Sequence, residues 1–346
     1  MTDAQVIGRL LDEYHERSVP PTNIEVLAGS VHEARISYKL TVPDGPAQLV
    51  RAYRADGAVP MRGRGPFTET VPDWLLGRAE TLDMLAAAGY AAPRPVLTRT
   101  GELIAVAGPW LAWATTYIPG VVLDPTLDQL QALGETLARL HRVVAGGRDR
   151  QLSPRHPAIA VALTLARLDA VAAAMPGEWQ WMAAAFRRTM VAVEEAASSL
   201  TETVVHGDVW ARHAVQPSDG GAVVLIDWQT GGLGMAVLDL GNSLLECHLD
   251  SAPSELAPEA RLISPSEERI AAVARGYAGV RPLSAAELNL LPDAVRFTAA
   301  VDGGIHFELA LAEGVIGPTM DARLARLQNR LTVADEVAAL AARYLG

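Results

Sequence analysis

The stretch Val204–Asp239 reads VVHGDVWARHAVQPSDGGAVVLIDWQTGGLGMAVLD, and its layout decides the fold. Two apolar runs, Val204–Val205 and Val223–Ile226, each lead into an aspartate: Asp208 just past His206-Gly207, and Asp227 directly after Ile226. Short apolar runs bounded by Gly and polar residues are buried strands. An ionised carboxylate that closes a buried strand is costly unless a cation or hydrogen-bond donors meet it, so Asp227 is a candidate metal ligand. His-Gly-Asp alone suits an aspartate that caps a turn after a strand. A second aspartate behind a second strand makes Asp208 a candidate for chemistry, and a third, Asp239, follows within LDLG.

Upstream of this stretch the texture is different. Arg35–Val42 alternates strictly, with Ile36, Tyr38, Leu40 and Val42 on one side and Arg35, Ser37, Lys39 and Thr41 on the other, as in a half-buried strand. It lies between Ile24–Leu27, with a turn at Gly29-Ser30, and Gln48–Tyr53, which predicts three antiparallel strands. Pro60–Thr70, rich in Gly, Pro and Arg, reads as a mobile loop. A helix begins near Pro72-Asp73 and stops at Gly89, with Pro93 and Pro95 barring its continuation. Leu103–Leu123 carries no charge, but Gly108-Pro109 and Pro119-Gly120 break it into strand-length pieces, so it reads as two strands and a turn, not a membrane span. From Asp124-Pro125 onward the pattern is helical, with Leu127, Leu130, Leu133, Leu137 and Leu140 at three-to-four spacing.

The bulk numbers narrow the class. With 346 residues, 50% of them hydrophobic, the chain suits a large bilobal domain that folds without staples. A single cysteine, Cys247, excludes an internal disulfide framework and a Cys-rich zinc site, and fits a reduced cytoplasm. The net charge of −11 argues against nucleic acid as a partner and weakly favours a cationic substrate. Glu246, Asp250 and Glu308 are acidic residues of the helical part that could greet one. The amino terminus reads as an amphipathic helix, not a signal peptide.

Seven pieces now stand in order: the strand-loop-strand around Gly29-Ser30, VRAYR at Val50–Arg54, RAETLDML at Arg78–Leu85, TTYIPG at Thr115–Gly120, LARLHRV at Leu137–Val143, HGDVWARH at His206–His213, and LIDW followed by LDLG. Together they resemble the aminoglycoside phosphotransferase and choline kinase superfamily, the small-molecule relatives of protein kinases. The resemblance implies an α+β, bilobal protein-kinase-like fold. An N-terminal nucleotide-binding lobe over 1–117 would carry the leading helix and a five-stranded antiparallel sheet with one helix. A mostly helical C-terminal lobe over 118–346 would carry the catalytic loop and the acceptor site.

By the same resemblance the protein is an ATP- or GTP-dependent phosphotransferase that uses Mg2+ or Mn2+ and a small-molecule hydroxyl acceptor, located in the cytoplasm, with neither nucleic acid nor membrane as partner. Asp208 is the catalytic base, Asp227 the metal ligand, and His206 and Asp239 brace the loop. Arg51 replaces the lysine that contacts nucleotide phosphates in protein kinases and pairs with Glu80, while Gly29 and Ser30 lie over the phosphates. Arginine's planar fork suits phosphate and carboxylate alike. Lys39, the chain's only lysine, points to the polar side of its strand and is a poor substitute; Arg54 faces away from Arg51. Adenine is expected at backbone groups of Trp113–Tyr117.

One position departs from the pattern: His213 stands where the family carries a metal-binding asparagine. Magnesium takes oxygen ligands, and imidazole suits manganese or zinc better. Three readings stay open: His213 hydrogen-bonds a phosphate oxygen or Asp208, it binds a softer metal, or transfer is lost and the chain is a pseudokinase, a nucleotide-binding or regulatory module.

Overall fold

The computed structural model describes residues 3–14, 21–30, 35–43, 45–54, 71–143, 151–175, 177–249, 262–313 and 318–346. The loop expected over Pro60–Thr70 and residues Val31 and His32 of the first turn lie outside them, as does Asp250. The chain divides into two compact units at Pro119/Gly120.

The first unit is an antiparallel sheet of six strands, one more than the pattern predicts: β1 (Asn23–Ser30), β2 (Arg35–Thr41), β3 (Gln48–Arg54), β4 (Pro95–Val96), β5 (Ile104–Ala107) and β6 (Trp110–Thr116). The spatial order is β1-β2-β3-β6-β4, with β5 also on β6. Strand β4 has only two residues and shares an edge of β6 with β5, so the sheet is five strands wide. Its Pro95 lacks an N–H to donate, which only an edge tolerates. The charge-free stretch is a β5–β6 hairpin turning at Gly108, where φ is +55°. Val50 and Ala52 of β3 pack with Leu40, Ala112 and the apolar stripe Val6, Ile7, Leu10 and Leu11 of α1 (Asp3–Asp12). The opposite face belongs to α2 (Val71–Ala87): the Trp74 ring meets Tyr53 of β3 edge-on, with centroids 5.5 Å apart. Helix α2 ends as the Gly and Pro signals require. Gly89 takes φ +73°, its N–H bonds the Ala86 carbonyl, and the Tyr90 N–H reaches back to Leu85, a Schellman closure.

The second unit is helical around α8 (Ala285–Glu313), whose neighbours include α4 (Pro157–Val171), α5 (Gln180–Ala196), α6 (Ala236–Glu246) and α9 (Pro318–Leu345). It also holds five short strands where two were expected: β7 (Gly120–Val122), β8 (Glu202–Val205), β9 (Ala214–Pro217), β10 (Val224–Leu225) and β11 (Gly232–Met235). β7, β9 and β10 form one antiparallel sheet; β8 and β11 form a separate ladder. Helices α3 (Leu127–Leu140) and α7 (Glu267–Ala278) meet at glycine. A Cβ on Gly134 would stand 2.2 Å from the Val273 carbonyl oxygen, and one on Gly276 2.1 Å from that of Gln131. Close backbone approach follows, and it brings Tyr277 against His141 at the end of α3. Among the described residues no helix is long and apolar enough to cross a membrane.

Candidate active site

Strand β8 delivers His206-Gly207-Asp208 into a loop folded back on itself. Gly207 has φ +80°, and a Cβ there would lie 2.8 Å from the Thr230 carbonyl oxygen, so only glycine fits. Thr230 closes the loop from the same side, its hydroxyl donating to the His206 carbonyl at 2.9 Å. The His206 ring is fully buried. Its Nδ1 accepts from the Asp208 N–H (3.3 Å), so Nε2 carries the proton and donates to the Ile226 carbonyl (2.8 Å). Burial lowers its pKa, which fits that neutral tautomer. One imidazole thus ties the loop of Asp208 to the strand end before Asp227.

Behind the loop, Asp239 in the first turn of α6 accepts the backbone N–H groups of His206 (2.8 Å) and Gly207 (2.9 Å). The same carboxylate is 3.2 Å from His141 Nε2, and His141 Nδ1 is 2.8 Å from the Tyr277 hydroxyl. Arg281 donates to Tyr277 and to Glu287, and Glu287 also accepts the Ser284 N–H. Burial alone would raise the Asp239 pKa, but the His141 hydrogen bond and the backbone donors hold it below the usual carboxylate value. Burial lowers the His141 pKa, leaving a neutral ring that donates from Nε2 to Asp239 and accepts from Tyr277. Of these five side chains only Asp239 was legible in the sequence. His141 lay in the quoted LARLHRV run, three to four residues past a buried leucine, but its partner Tyr277 is 136 residues away.

In front of the loop stand the three candidates. His213, in a 3-10 turn over Ala211–His213, lies between the aspartates: Nδ1 is 3.5 Å from Asp208 Oδ2, and Nε2 is 3.6 Å from Asp227 Oδ2. Asp227 adopts a left-handed conformation, φ 64° and ψ 58°, the sole non-glycine residue with positive φ among those described. Its Oδ1 accepts from Gln229 Nε2 at 2.7 Å. Trp210, which sequence reading did not single out, supplies the deciding contact. Its indole Nε1 is 2.9 Å from His213 Nδ1, and an indole N–H can only donate. Nδ1 therefore presents its lone pair to Trp210, and the ring proton sits on Nε2, on the Asp227 side. The Asp208 carbonyl, also 2.9 Å from Nδ1, would be an acceptor only in the other tautomer.

The donor set suits a divalent cation in a limited way. Among the described residues no three His, Cys, Asp or Glu side chains gather into a metal cage. Asp227 offers a carboxylate, and Mg2+ is commonly held by one or two carboxylates together with substrate phosphates. A cation here fits that pattern and not an all-protein cage.

In the first unit Arg51 is half-buried on β3, opposite Ser37 of β2 and Trp113 of β6. Alternation puts it with Tyr53, on the face that α2 covers, and puts Arg54 on the other. Glu80 is exposed on α2. The polar side of β2 is this same face, because Lys39 pairs with Leu49 and Ser37 with Arg51. Lys39 is engaged there: its ammonium lies over the Tyr117 ring, 4.4 Å from the centroid. Gly29 and Ser30 end β1, in register with Ile36 and Arg35. Trp113–Thr116 lie in β6, paired with β3, and the Tyr117 N–H is taken by the Ala47 carbonyl at 2.7 Å.

The two described acids expected to meet a cationic substrate, Glu246 and Glu308, have partners of their own. Glu246 is buried against Arg326 and Arg330, and Glu308 accepts from Arg167 at 2.8 Å. Cys247 is buried and unreactive, its thiol pushed up to about 12 by burial.

One unit with a six-stranded sheet carrying α2, and a second, helical unit whose loop braces one aspartate against another, define a small-molecule kinase of the protein-kinase-like fold. The chain belongs to the phosphotransferase enzyme family, whose model matches residues 71–283. Among solved structures it is similar to the amicoumacin kinase hAmiN in complex with AMP-PNP, Ca2+ and Ami, at 16% identity and TM-score 0.65 over 97% of this chain and 94% of that one. It is also similar to a microcompartment-associated aminopropanol kinase, at 15% identity and TM-score 0.60 over 99% and 100%. A choline/ethanolamine kinase family protein from Mesorhizobium loti matches at 14% identity and TM-score 0.60 over 100% of both chains. No curated protein sequence matches. At these identities the structures speak for the fold.

Proposed function

We propose that this phosphotransferase moves the γ-phosphoryl group of ATP or GTP to a hydroxyl of a small molecule, with Asp208 as base and Asp227 as metal ligand. One observation carries the reading: Asp208 and Asp227, from two different strand ends, face the two ring nitrogens of His213 at 3.5 and 3.6 Å. The acceptor oxygen bonds to the γ-phosphorus as its proton passes to Asp208. The bond to the β-γ bridging oxygen breaks, and the nucleoside diphosphate leaves. Such transfer is mostly positioning and charge neutralisation, so an aspartate suffices as base. A divalent cation, Mg2+ or Mn2+, would neutralise phosphate charge when bound, held by Asp227 and the nucleotide. Arg51, oriented by Glu80, takes the place of a phosphate-binding lysine, with Gly29 and Ser30 above the phosphates. His213 acts as a donor: its Nε2–H, fixed by Trp210, is available to a phosphate oxygen.

A coupled assay of nucleoside diphosphate release tests this, run over an acceptor panel with ATP and GTP in Mg2+ and in Mn2+. Equal turnover by wild type and Asp208→Ala would sink it. The second reading is a pseudokinase, favoured by the tautomer at His213, which turns the ring lone pair away from Asp227. It predicts nucleotide-induced thermal stabilisation with no transfer to any acceptor.

A further inference from the structure

Helix α6 reaches the His206–Asp208 loop at two points, one on each side of Asp208. Asp239 and Asn242, the residue that directly follows LDLG, are three residues apart in α6 and so share a face of that helix. Asp239 accepts the N–H groups of His206 and Gly207, the two residues before Asp208. Asn242 reaches the residue after it: Nδ2 donates to the Val209 carbonyl at 3.4 Å. A carbonyl can only accept, which fixes the amide with its NH2 toward Val209. Among the described residues no other donor reaches that carbonyl. Val209 is fully buried and Asn242 is 2% exposed, so bulk water reaches neither. One helix face thus offers an acceptor to the chain entering Asp208 and a donor to the chain leaving it.

Close packing does not hold the loop on this side. Between it and the helices lies a small cavity with room for one water-sized group, and its wall includes Gly207, Asp239 and Asn242. The loop has slack there, so its geometry rests on hydrogen bonds. Those to Asp239 fix the chain before Asp208 and leave the peptide after Val209 free to turn; rotation of that peptide would carry the Asp208 carboxylate off its aim. At 3.4 Å the Asn242 bond is the longest of these tethers and adds little to stability. Rate is more sensitive than stability, since a misplacement of about 1 Å can cost about 10²-fold. We propose that Asn242 is a positioning residue for phosphoryl transfer: it holds Asp208 toward the acceptor hydroxyl and touches neither acceptor nor nucleotide. This rests on the kinase reading above.

The test uses the full chain and reads ADP release from ATP and Mg2+, with water standing in for the acceptor hydroxyl. Asn242→Leu, close in volume and without a donor, is expected to lower kcat about tenfold and to leave KM for ATP within about twofold of wild type. Asn242→Gln keeps an amide donor, and the cavity can take its extra methylene; it should recover most of the loss. In an Asp208→Ala background the Asn242→Leu effect should vanish, because a residue that acts through Asp208 then has nothing to aim. Should Asn242→Leu fail to fold, Asn242→Ala is read in its place, and loss of fold in both would overturn the proposal by making Asn242 a residue of the fold. Wild-type kcat in a folded Leu or Ala variant would also overturn it, as would a Gln variant no better than Leu or a loss that multiplies with that of Asp208→Ala. Each of these leaves the kinase reading standing. Wild-type ADP release no faster than that of Asp208→Ala would overturn both.

Discussion

The two sides of the His206–Asp208 loop are built on opposite plans. Behind it, Asp239, His141, Tyr277, Arg281 and Glu287 make contacts of 2.6 to 3.2 Å in a buried, fully paired chain. In front, His213 sits 3.5 and 3.6 Å from Asp208 and Asp227, beyond hydrogen-bond length, and both aspartates are partly exposed. A rear that is satisfied holds its geometry without help. A front whose carboxylates and imidazole stand slightly apart has space for something to come between them, which is what a phosphate and a cation would do. Low-dielectric surroundings make the rear costly to break, whereas the front is open to adjustment.

The largest effect should come from removing the front's proposed base. Asp208→Ala is expected to lower kcat by about 10²-fold or more, the range for a positioned general base, with thermal midpoint little changed. Loss of fold together with activity would mean that Asp208 serves the loop and not the acceptor. Next comes the rear. Asp239→Ala leaves two buried N–H groups and the neutral His141 without their acceptor, so unfolding free energy should fall by about 3 kcal/mol or more, at about 1–3 kcal/mol for each buried donor left unsatisfied. Urea denaturation would show it, and a loss under 1 kcal/mol would mean that the rear is not what holds the loop. Tyr277→Phe removes both the donor to His141 and an acceptor of Arg281 and should destabilise by about 1–2 kcal/mol with kcat unchanged.

Acid should separate the sides as well. His141 and His206 are kept neutral by burial, with folded pKa values below the ordinary 6.5. Between the two values the unfolded chain binds more protons than the folded one, so the stability they contribute is complete above about pH 6.5 and is lost as pH falls below it. Asp239, with its pKa lowered, adds a second loss below the ordinary carboxylate value of 3.8. The urea midpoint should therefore drop from pH 7.5 to pH 5.5. A flat profile over that span would show that neither ring is a buried neutral base.

The front was largely legible in the sequence, whereas of the rear only Asp239 was. Asp208, Asp227 and His213 fall in one contiguous stretch, where strand, turn and acid follow local rules. The Gly89 stop of α2 and the Gly108 turn of the hairpin were legible for the same reason, since positive φ selects glycine locally. The rear is assembled from α3, α6, α7 and α8, and its pairs are set by helix packing at Gly134 and Gly276, for which periodicity gives no partner. β4 escaped because two residues carry no period. The acidic candidates Glu246 and Glu308 looked free for lack of the same knowledge: their arginines come from α9 and α4.

The smallest and sharpest change lies within the front. Trp210→Phe removes the N–H that claims His213 Nδ1, after which Nδ1 can donate to the Asp208 carbonyl 2.9 Å away and turn the Nε2 lone pair toward Asp227. The ring then becomes a nitrogen ligand beside a carboxylate, a pair that favours Mn2+ or Zn2+ over Mg2+. One hydrogen bond's worth of tautomer preference, about 1 kcal/mol, corresponds to a shift of roughly fivefold in relative affinity for Mn2+, measurable by EPR titration in the presence of nucleotide. His213→Asn should keep activity or raise it, because an amide oxygen suits Mg2+ where imidazole does not. The double variant decides the mechanism. If Trp210 acts through His213, its effect on metal preference disappears once His213 is asparagine, and if the shift persists, Trp210 works through packing.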